Sequence, residues 1–295
     1  MRRRTLIRGA LGLLASGIAG FAYAAGIEPG LRLRVQEWRV PMPGWGTRPP
    51  MTVAVLTDIH AGEPHMPLSR IEAIVDRANA LRPDLTVVLG DLPAHHPYVW
   101  RRVAVWDVAR TLAGLRAPLG VHAILGNHDW WDDETAQVTG RGPPAIRRWL
   151  EAVGLNVLAN RAVRLPHGDG VWLAGLDSQW AYWLGRWRHR GADDLPGTTA
   201  QLGDDAPAIL LAHEPDIFPH VPSRFALTLC GHTHAGQLRL FGWSPFVPSI
   251  YGNRYAYGLV EEEGRFLVAS AGLGCSVAPV RFGAPPEITL VHLGA

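Results

Sequence analysis

The chain has 295 residues, of which 47% are hydrophobic and 18% are charged, and its formal net charge is +2. This length and this hydrophobic fraction allow a large core and exclude a disordered chain, and the nearly balanced charge indicates no nucleic-acid partner. Glycine and proline are frequent, at 33 and 24 residues, but show no three-residue period, which excludes a collagen-like chain. The two cysteines, Cys230 and Cys275, allow at most one disulfide, and their spacing leaves open whether it forms.

The amino terminus has the features of a targeting segment. Four arginines lie within the first eight residues: Arg2, Arg3, Arg4 and Arg8. Nineteen uncharged residues follow, Gly9–Ile27, and Ala22-Tyr23-Ala24 within them fits the small-x-small pattern of a signal-peptidase site. The arginine pair resembles a twin-arginine export signal, whereas a buried amino-terminal helix would not explain the basic cluster. We therefore predict that residues 1–27 are a signal peptide or a membrane anchor, and that the rest is exported, periplasmic or associated with the inner membrane.

After this segment the chain alternates between short apolar runs and helical periodicity. Residues 28–50 are predicted to be a linker with an edge strand around Leu31–Arg39, and residues 51–295 to be one α/β catalytic domain with a largely parallel sheet. Helices are predicted over Leu68–Leu81, Val103–Leu115 and Pro144–Val153. Strands are predicted over Thr52–Leu56, Leu85–Leu89, Val121–Leu125, Val171–Leu176, Ala208–Ala212, Ala226–Leu229, Tyr257–Val260, Phe266–Ala269 and Ile288–Val291.

Immediately after five of these strands come side chains that are able to bind metal. They are Asp58, His60, Asp91, Asn127, His128, His213, His232 and His234. Because the carboxyl ends of strands in an α/β sheet meet at one crevice, we expect these side chains to lie close together. Each alone could be a cap or a turn residue, but five such coincidences argue against a purely structural explanation.

The residue types at these strand ends indicate a site for two metal ions. Carboxylate and imidazole ligands without thiolate favour Mn, Fe or Zn and argue against a cysteine-type zinc site. Two ions about 4 Å apart need a bridging ligand, and a carboxylate offers two oxygens for that purpose. Glycine precedes Asp91, Asn127 and His232, which allows the backbone to turn sharply at the site.

The order of these motifs resembles the calcineurin-like metallophosphoesterase superfamily. The matching motifs are Asp58-Ile59-His60, Gly90-Asp91, Gly126-Asn127-His128-Asp129, His213 and Gly231-His232-Thr233-His234. The stretches Ala271–Gly274 and Pro279–Glu287 are similar to a subgroup of bacterial exported or membrane-associated phosphodiesterases, which is related to the UDP-2,3-diacylglucosamine pyrophosphatases. The resemblance implies a four-layer α/β/β/α sandwich with two mixed sheets.

The resemblance also implies a role for each residue of the motifs. One metal would be held by Asp58, His60 and His234, the second by Asn127, His213 and His232, and Asp91 would bridge both. A hydroxide between the two metals would attack phosphorus. His128 would protonate or stabilise the leaving group, and Asp129 would orient His128 through its other ring nitrogen.

Residues outside these motifs are candidate substrate contacts. The segment after Asp91 lacks the acidic or hydroxyl residue of many relatives, and His95 and His96 are candidate phosphate contacts there. Arg281 is a third candidate, with a structural salt bridge as the alternative. Segment Gln179–Arg190 interleaves aromatic residues with arginines, which suits lipid headgroups, base stacking or packing on its own domain.

We therefore predict a phosphoesterase with two divalent metal ions that hydrolyses a phosphodiester or a pyrophosphate, on a substrate that could be lipid-linked. Trp130 and Trp131 directly follow the third motif and are expected to shape the substrate mouth. The alternative function is hydrolysis of UDP-2,3-diacylglucosamine in lipid A synthesis, against which an export signal counts unless an uncleaved anchor faces inward. A non-catalytic binding scaffold is a further alternative, but the complete set of ligands and His128 argues against it.

Overall fold

The structure is a computed structural model that describes residues 3–186 and 188–294, with side chains described from residue 13 onward. Arg2 and Trp187, and the side chains of the other amino-terminal arginines, lie outside the described residues. The helices are α1 (Arg3–Ala22), α2 (Glu28–Leu31), α3 (Leu68–Ala80), α4 (Val105–Leu112), α5 (Asn127–Trp131), α6 (Glu134–Thr139), α7 (Ala145–Ala152) and α8 (Leu195–Thr199). A π turn, Tyr23–Ile27, joins α1 to α2, and 3-10 turns cover Pro215–His220, His234–Gly236 and Gly252–Tyr255.

The described strands form two large sheets and two small two-stranded sheets. The strands are β1 (Arg34–Val40), β2 (Met51–Leu56), β3 (Gly62–Glu63), β4 (Leu85–Val88), β5 (Arg101–Arg102), β6 (Val121–Ala123), β7 (Asn156–Val157), β8 (Arg161–Leu165), β9 (Val171–Gly175), β10 (Tyr182–Trp183), β11 (His189–Arg190), β12 (Ala208–Leu211), β13 (Leu227–Cys230), β14 (Gly258–Glu262), β15 (Arg265–Ala269) and β16 (Glu287–Leu293). The first sheet has the order β1-β16-β2-β4-β6-β7, and the second has the order β14-β15-β13-β12-β9-β8, while the small sheets pair β3 with β5 and β10 with β11. Both sheets are mixed, because β16 is antiparallel to β2, and β14 and β8 are antiparallel edge strands of the second sheet.

The core consists of three layers of apolar contacts. Between the sheets, Val53 and Val87 of the first sheet lie in one cluster with Leu211 and Leu229 of the second. The outer face of the first sheet is covered by α3, α4 and α7, and the outer face of the second by the turn Pro215–His220. This arrangement confirms the four-layer α/β/β/α sandwich, with an outer layer on the second sheet that consists mainly of short helical turns.

Several element boundaries differ from the sequence-based prediction. Helix α4 spans only Val105–Leu112, and the strands form the two mixed sheets that the family resemblance implies rather than the largely parallel sheet that the strand pattern alone suggests. Strand β8 was missed because it is an edge strand with exposed and half-buried side chains, which gives no apolar run. Helix α5 was missed because it is five residues long and carries a polar motif.

The segment before the catalytic domain packs against that domain. Strand β1 lies at the edge of the first sheet and pairs in parallel with β16. Met42 and Trp45, which follow β1 in the chain, are buried. The carboxylate of Glu28 is also buried and accepts a hydrogen bond from the backbone N–H of Ala284 at 2.8 Å. Within the described chain, α1 falls short of the length and apolarity that a bilayer-crossing helix requires, as does every other helix.

Candidate active site

The polar residues at the strand ends converge between the two sheets. Asp58 and His60 follow β2, Asp91 follows β4, and Asn127 begins the helix after β6. His213 follows β12 of the second sheet, and His232 and His234 follow β13. All of these side chains are buried, and burial removes their polar groups from water, which costs free energy.

The backbone is strained at most of the predicted metal ligands. Positive φ angles between 44° and 68° occur at Asp58, His60, Asp91, His232 and His234. A non-glycine residue in this region costs on the order of 1–3 kcal/mol, and such strain clusters at functional sites. The surrounding structure therefore holds these side chains in positions that the local sequence alone would not favour.

Two glycines allow the strand ends to approach closely. A Cβ at Gly126 would lie 2.2 Å from Oδ1 of Asp91, and a Cβ at Gly231 would lie 2.4 Å from Oδ2 of Asp58. Neither glycine has a positive φ, so the requirement is space for the carboxylates.

The first ligand cluster contains Asp58, His60 and His234, whose nearest ligand atoms all lie within 4.8 Å of one another. Nε2 of His234 is 3.1 Å from Nε2 of His60 and 3.3 Å from Oδ1 of Asp58. Nδ1 of His60 lies 3.0 Å from the carbonyl oxygen of Pro93, which fixes the proton on Nδ1 and leaves Nε2 free as a ligand.

The second ligand cluster contains Asp91, His213 and His232, again within 4.8 Å of one another. Oδ1 of Asn127 lies 2.9 Å from Nδ1 of His232, so the amide oxygen of Asn127 also lies at the second cluster. Nδ1 of His213 is 2.6 Å from the carbonyl oxygen of Leu89, which leaves Nε2 of His213 available to a metal.

The carboxylate of Asp91 lies between the two clusters. Its Oδ1 accepts the backbone N–H of His128 at 2.8 Å. Its Oδ2 lies 3.6 Å from Nε2 of His60 and 3.1 Å from Nε2 of His213. One carboxylate oxygen therefore faces ligands of both clusters, which is the position required of a bridging ligand.

The chemistry of this donor set fits divalent metal ions. Nε2 of His213 is buried, and apart from Oδ2 of Asp91 at 3.1 Å it has no partner within hydrogen-bond distance among the described residues. The ion pairs of Asp58 and Asp91 within the described chain involve histidines only. Buried charges are normally paired or coordinate metals, and carboxylate with imidazole suits Mn, Fe or Zn.

The pKa values of these groups follow from the same surroundings. Burial raises the pKa of Asp58 to about 6, and it lowers the pKa of His60 to about 4 and that of His232 to about 3. Burial also acts to lower the pKa of His213, but the carboxylates of Asp91 and Asp58 outweigh it and raise the pKa well above its usual value. The carboxylates thus favour a positive charge at this point, as a cation-binding site requires.

His128 lies beside the clusters and contacts residues on three sides. Its Nδ1 is 2.8 Å from Nδ1 of His95, and its Nε2 is 3.3 Å from Oγ of Ser276. Nε2 of His95 lies 2.9 Å from Oδ1 of Asp132, so His95 connects His128 to a carboxylate. His128 also lies within 4.8 Å of His60 and Asp91 in a third possible ligand group.

The structure corrects the role predicted for Asp129. Its Oδ2 accepts the backbone N–H groups of Asp91 and Gly126, at 2.9 and 2.8 Å, and its Oδ1 accepts that of Leu92 at 2.9 Å. Both oxygens are therefore occupied by backbone donors, and the orienting contact to His128 comes from His95. Asp129 instead connects, through these hydrogen bonds, the two turns that carry Asp91 and Asn127.

An apolar cavity of about 480 Å³ opens above His128 and the second cluster. Its walls include Trp131, Trp180, Trp183, Leu238, Phe246 and Val277. Within the segment Gln179–Arg190, the ring of Trp180 stacks on His189 at 4.5 Å and meets the edge of His232 at 4.6 Å. This segment forms a wall of the cavity.

The structure separates the predicted substrate contacts. His96 lines the cavity, and its buried Nδ1 has no hydrogen-bond partner among the described residues. His95 also lines the cavity, but His128 and Asp132 engage both of its ring nitrogens. The structure contradicts a phosphate contact by Arg281, which is completely buried and donates to the backbone oxygens of residues 271, 274 and 284.

Arg281, Ser276 and the two tryptophans reach the site in different ways. NH2 of Arg281 lies 3.1 Å from Nδ1 of His234, the ring nitrogen that does not face the first cluster. Ser276 reaches His128 from 148 residues along the chain, and only the tertiary structure identifies it. Of the two tryptophans expected at the mouth, Trp131 lines the cavity, whereas Trp130 is buried and donates its indole N–H to Asp177 at 2.6 Å.

The two cysteines are also accounted for. Cys230 ends β13 and Cys275 lies in the loop before β16, and both are buried free thiols. Burial raises the pKa of each thiol, which keeps both protonated.

Comparison with known proteins agrees with this geometry. Residues 51–236 match the family described as Calcineurin-like phosphoesterase. An uncharacterized metallophosphoesterase of Bacillus subtilis (strain 168), YkuE, is 29% identical over 304 residues, which cover 99% of this chain and 98% of that protein. The phosphodiesterase YaeI of Escherichia coli (strain K12) is 29% identical over 301 residues, with the same two coverages.

A longer relative shares the same part of the chain. The Bos taurus "transmembrane protein with metallophosphoesterase domain" is 29% identical over 259 residues, which cover 83% of this chain and 53% of that protein. The segment that matches the family contains both ligand clusters, Asn127 and His128. The chain therefore belongs to the calcineurin-like phosphoesterase family.

Proposed function

We propose that this metal-dependent phosphoesterase hydrolyses a phosphodiester or a pyrophosphate at a centre of two divalent metal ions. The observation that carries the proposal is the position of Asp91, whose Oδ2 faces ligands of both clusters below the cavity. The similarity to a protein named as a phosphodiesterase supports a diester substrate. The complete ligand set argues against a binding scaffold without catalysis.

The residues would divide between the two metals as their clusters do. One metal would be held by Asp58, His60 and His234. The other would be held by Asn127, His213 and His232, and Asp91 would bind both metals. When bound, the metals would neutralise charge on the phosphoryl group and supply a water of lowered pKa as the nucleophile. The carbonyl groups of Pro93 and Leu89 hold the imidazoles of His60 and His213 in the tautomer that this binding needs.

His128 is placed to donate a proton to the leaving oxygen. Burial holds the pKa of His128 well below its usual range, so the ring is neutral and must carry its one proton on Nε2 to act as a donor. Nδ1 of His95 lies 2.8 Å from Nδ1 of His128, and a hydrogen bond that His95 donates there leaves the proton of His128 on Nε2. We infer that His95 and Asp132 are positioning residues for His128, and that His96 contacts the phosphate.

Metal analysis combined with hydrolysis assays tests the proposal. Metal-reconstituted protein is assayed on a monoester, a diester, UDP-sugars and a lipid-linked pyrophosphate, and we expect turnover of diester or pyrophosphate. Asp91→Ala should lose both metals, whereas Asn127→Ala should mainly weaken one. Two metals retained in Asp91→Ala would refute the bridging role, and turnover of the monoester alone would refute the substrate class.

The cavity favours a substrate with an apolar group next to the phosphate. Tryptophan, leucine, phenylalanine and valine side chains line it, and such walls bind acyl chains or rings. A lipid-linked phosphoester is therefore our preferred substrate, and UDP-2,3-diacylglucosamine is the second candidate because it also carries acyl chains. Selective turnover of that sugar nucleotide in the same assay would establish the second candidate.

We also propose that the protein is exported and that its amino-terminal segment is retained. The ring of Tyr23 packs on Phe282, and the carbonyl oxygen of Ala24 accepts the backbone N–H of Arg281 at 2.8 Å. Replacing both Arg3 and Arg4 with lysine should leave the protein in the cytoplasm, because the twin-arginine receptor reads the arginine pair. Cell fractionation measures this, and unchanged export would indicate the general secretory route.

A further inference from the structure

A tight apolar turn projects into solvent from the mouth of the cavity. We call residues 238–246 the apolar turn; Leu240 and Trp243 pair their backbones in both directions, at 2.8 and 2.9 Å. Phe241 at its tip is fully exposed, and Leu240 and Trp243 are more than half exposed. The turn is thus an ordered structure that holds large apolar side chains in water, which is unfavourable unless a partner covers them.

Helix α1 presents a second apolar surface. Leu13, Leu14, Ile18 and Phe21 are all more than 60% exposed, and residues 13–19 are exposed on every side of the helix. A helix that is apolar all round is normally buried in protein or in lipid. The exposed part of α1 therefore also requires an apolar environment.

The base of α1 and the apolar turn are connected through Phe282. Tyr23, just after α1, packs edge-on against Phe282 with ring centres 6.1 Å apart. Phe282 pairs with Leu238 at the base of the apolar turn, and Leu238 lines the cavity. The bases of the two exposed surfaces therefore lie side by side next to the cavity mouth, and we call the two surfaces together the apolar face.

We propose that this face docks on an anionic lipid bilayer and holds the cavity mouth at the level of the headgroups. The four arginines before and within α1 complement anionic headgroups. Two copies packed through parallel α1 helices would instead bring these like charges together, which disfavours a second copy as the occupant. Docking on lipid deepens the proposed function, because a lipid-linked phosphoester could then enter the cavity without leaving the membrane.

Vesicle flotation of the full-length protein tests the docking surface. We expect the wild type to float with phosphatidylglycerol-containing vesicles more than with phosphatidylcholine vesicles. The double variant Phe241→Glu, Trp243→Glu should bind about tenfold more weakly, because two large apolar side chains no longer enter the interface. The matched control is Trp106→Glu on α4, a tryptophan that is 40% exposed on the outer face of the first sheet and should float like the wild type.

A soluble diester assay separates docking from catalysis. The substituted side chains lie outside the ligand clusters and the cavity lining, so the double variant should cleave bis(4-nitrophenyl) phosphate at the wild-type rate. Unchanged flotation of the double variant would overturn the docking proposal, as would wild-type dimers without lipid that the variant converts to monomers. Flotation without turnover of any phosphoester would instead refute the proposed function and leave the docking surface supported.

Discussion

The surroundings of His128 show how neighbouring side chains determine the role of one residue. The motif places His128 next to Asn127, but its hydrogen bonds come from His95 and Ser276, which lie in other segments. The adjacent acidic residue, Asp129, is directed to backbone donors instead. The side chain that orients the proposed acid is therefore a histidine, supported by Asp132.

Substitution of this pair should weaken acid catalysis without removing metal. His95→Ala and Asp132→Asn should lower kcat on an alkyl diester about 10- to 100-fold, the loss typical when a partner that orients a metal-binding histidine is removed. The loss should be smaller for a nitrophenyl ester, whose leaving group needs little protonation.

The control for this pair is the variant His128→Ala. It should show the same dependence on the leaving group with a larger loss, up to about 10⁴-fold, while metal content stays at the wild-type level. Equal losses of His95→Ala on alkyl and nitrophenyl esters would show that His95 supports the fold of the site rather than the proton donor.

Substitution of Gly231 by alanine tests the close approach of the strand ends, because it adds a single carbon atom there. In Gly231→Ala the new Cβ would lie 2.2 Å from Oγ1 of Thr57, so we expect a loss of about 1–3 kcal/mol in unfolding free energy and weaker metal binding. Gly203→Ala is the control, since its nearest contact would be Trp172 at 3.8 Å. Urea unfolding and metal titration measure both effects, and equal stability of the two variants would contradict the steric explanation.

At the scale of elements, the end of β9 is joined to α5 through a buried polar pair. Oδ1 of Asp177, after β9, accepts the indole N–H of Trp130 on α5 at 2.6 Å and the backbone N–H of Ser178 at 3.0 Å. Burial raises the pKa of Asp177 to about 6. The helix that carries Asn127 and His128 is thus anchored to the second sheet by a carboxyl group that burial favours in its neutral form.

This pair predicts a pH-dependent stability difference. Because the pKa of Asp177 is raised on folding, its contribution to stability is present below about pH 4 and is lost as the pH rises to about 6. Asp177→Asn keeps an oxygen for both donors and cannot ionise, so its stability relative to the wild type should be about 1–3 kcal/mol greater at pH 8 than at pH 4. Urea unfolding at both pH values, in chelator, measures the difference, and a pH-independent difference would contradict it.

At the scale of the whole molecule, the two sheets meet at the ligand clusters. The candidate ligands of the first sheet are Asp58, His60, Asp91 and Asn127, and the remaining candidates come from the second sheet. Within the clusters, carboxylates and imidazoles of opposite sheets lie 3 to 4 Å apart. A metal held there would connect the two halves of the sandwich.

Removal of metal should therefore destabilise the whole molecule. A ligand that binds only the folded state at 100 times its Kd adds about 2.7 kcal/mol. Chelation should then lower Tm by about 5 °C or more for a domain of this size. Calorimetry with and without chelator measures the shift, and Asp91→Ala, which should bind neither metal, should show almost none. A chelator-induced shift of wild-type size in that variant would place the stabilising metal elsewhere.

The sequence by itself predicts the strand ends that carry the candidate ligands, because strand periodicity and short motifs are local signals, and the resemblance of those motifs to a known family implies the sandwich fold. The tertiary structure decided which side chain contacts Nδ1 of His128, that Arg281 lies beside Nδ1 of His234, and the order of the strands within each sheet. The paired residues are far apart in the chain: 148 residues separate His128 from Ser276, and 174 separate His60 from His234. Their pairing depends on how the two sheets pack together, a property that no local pattern encodes.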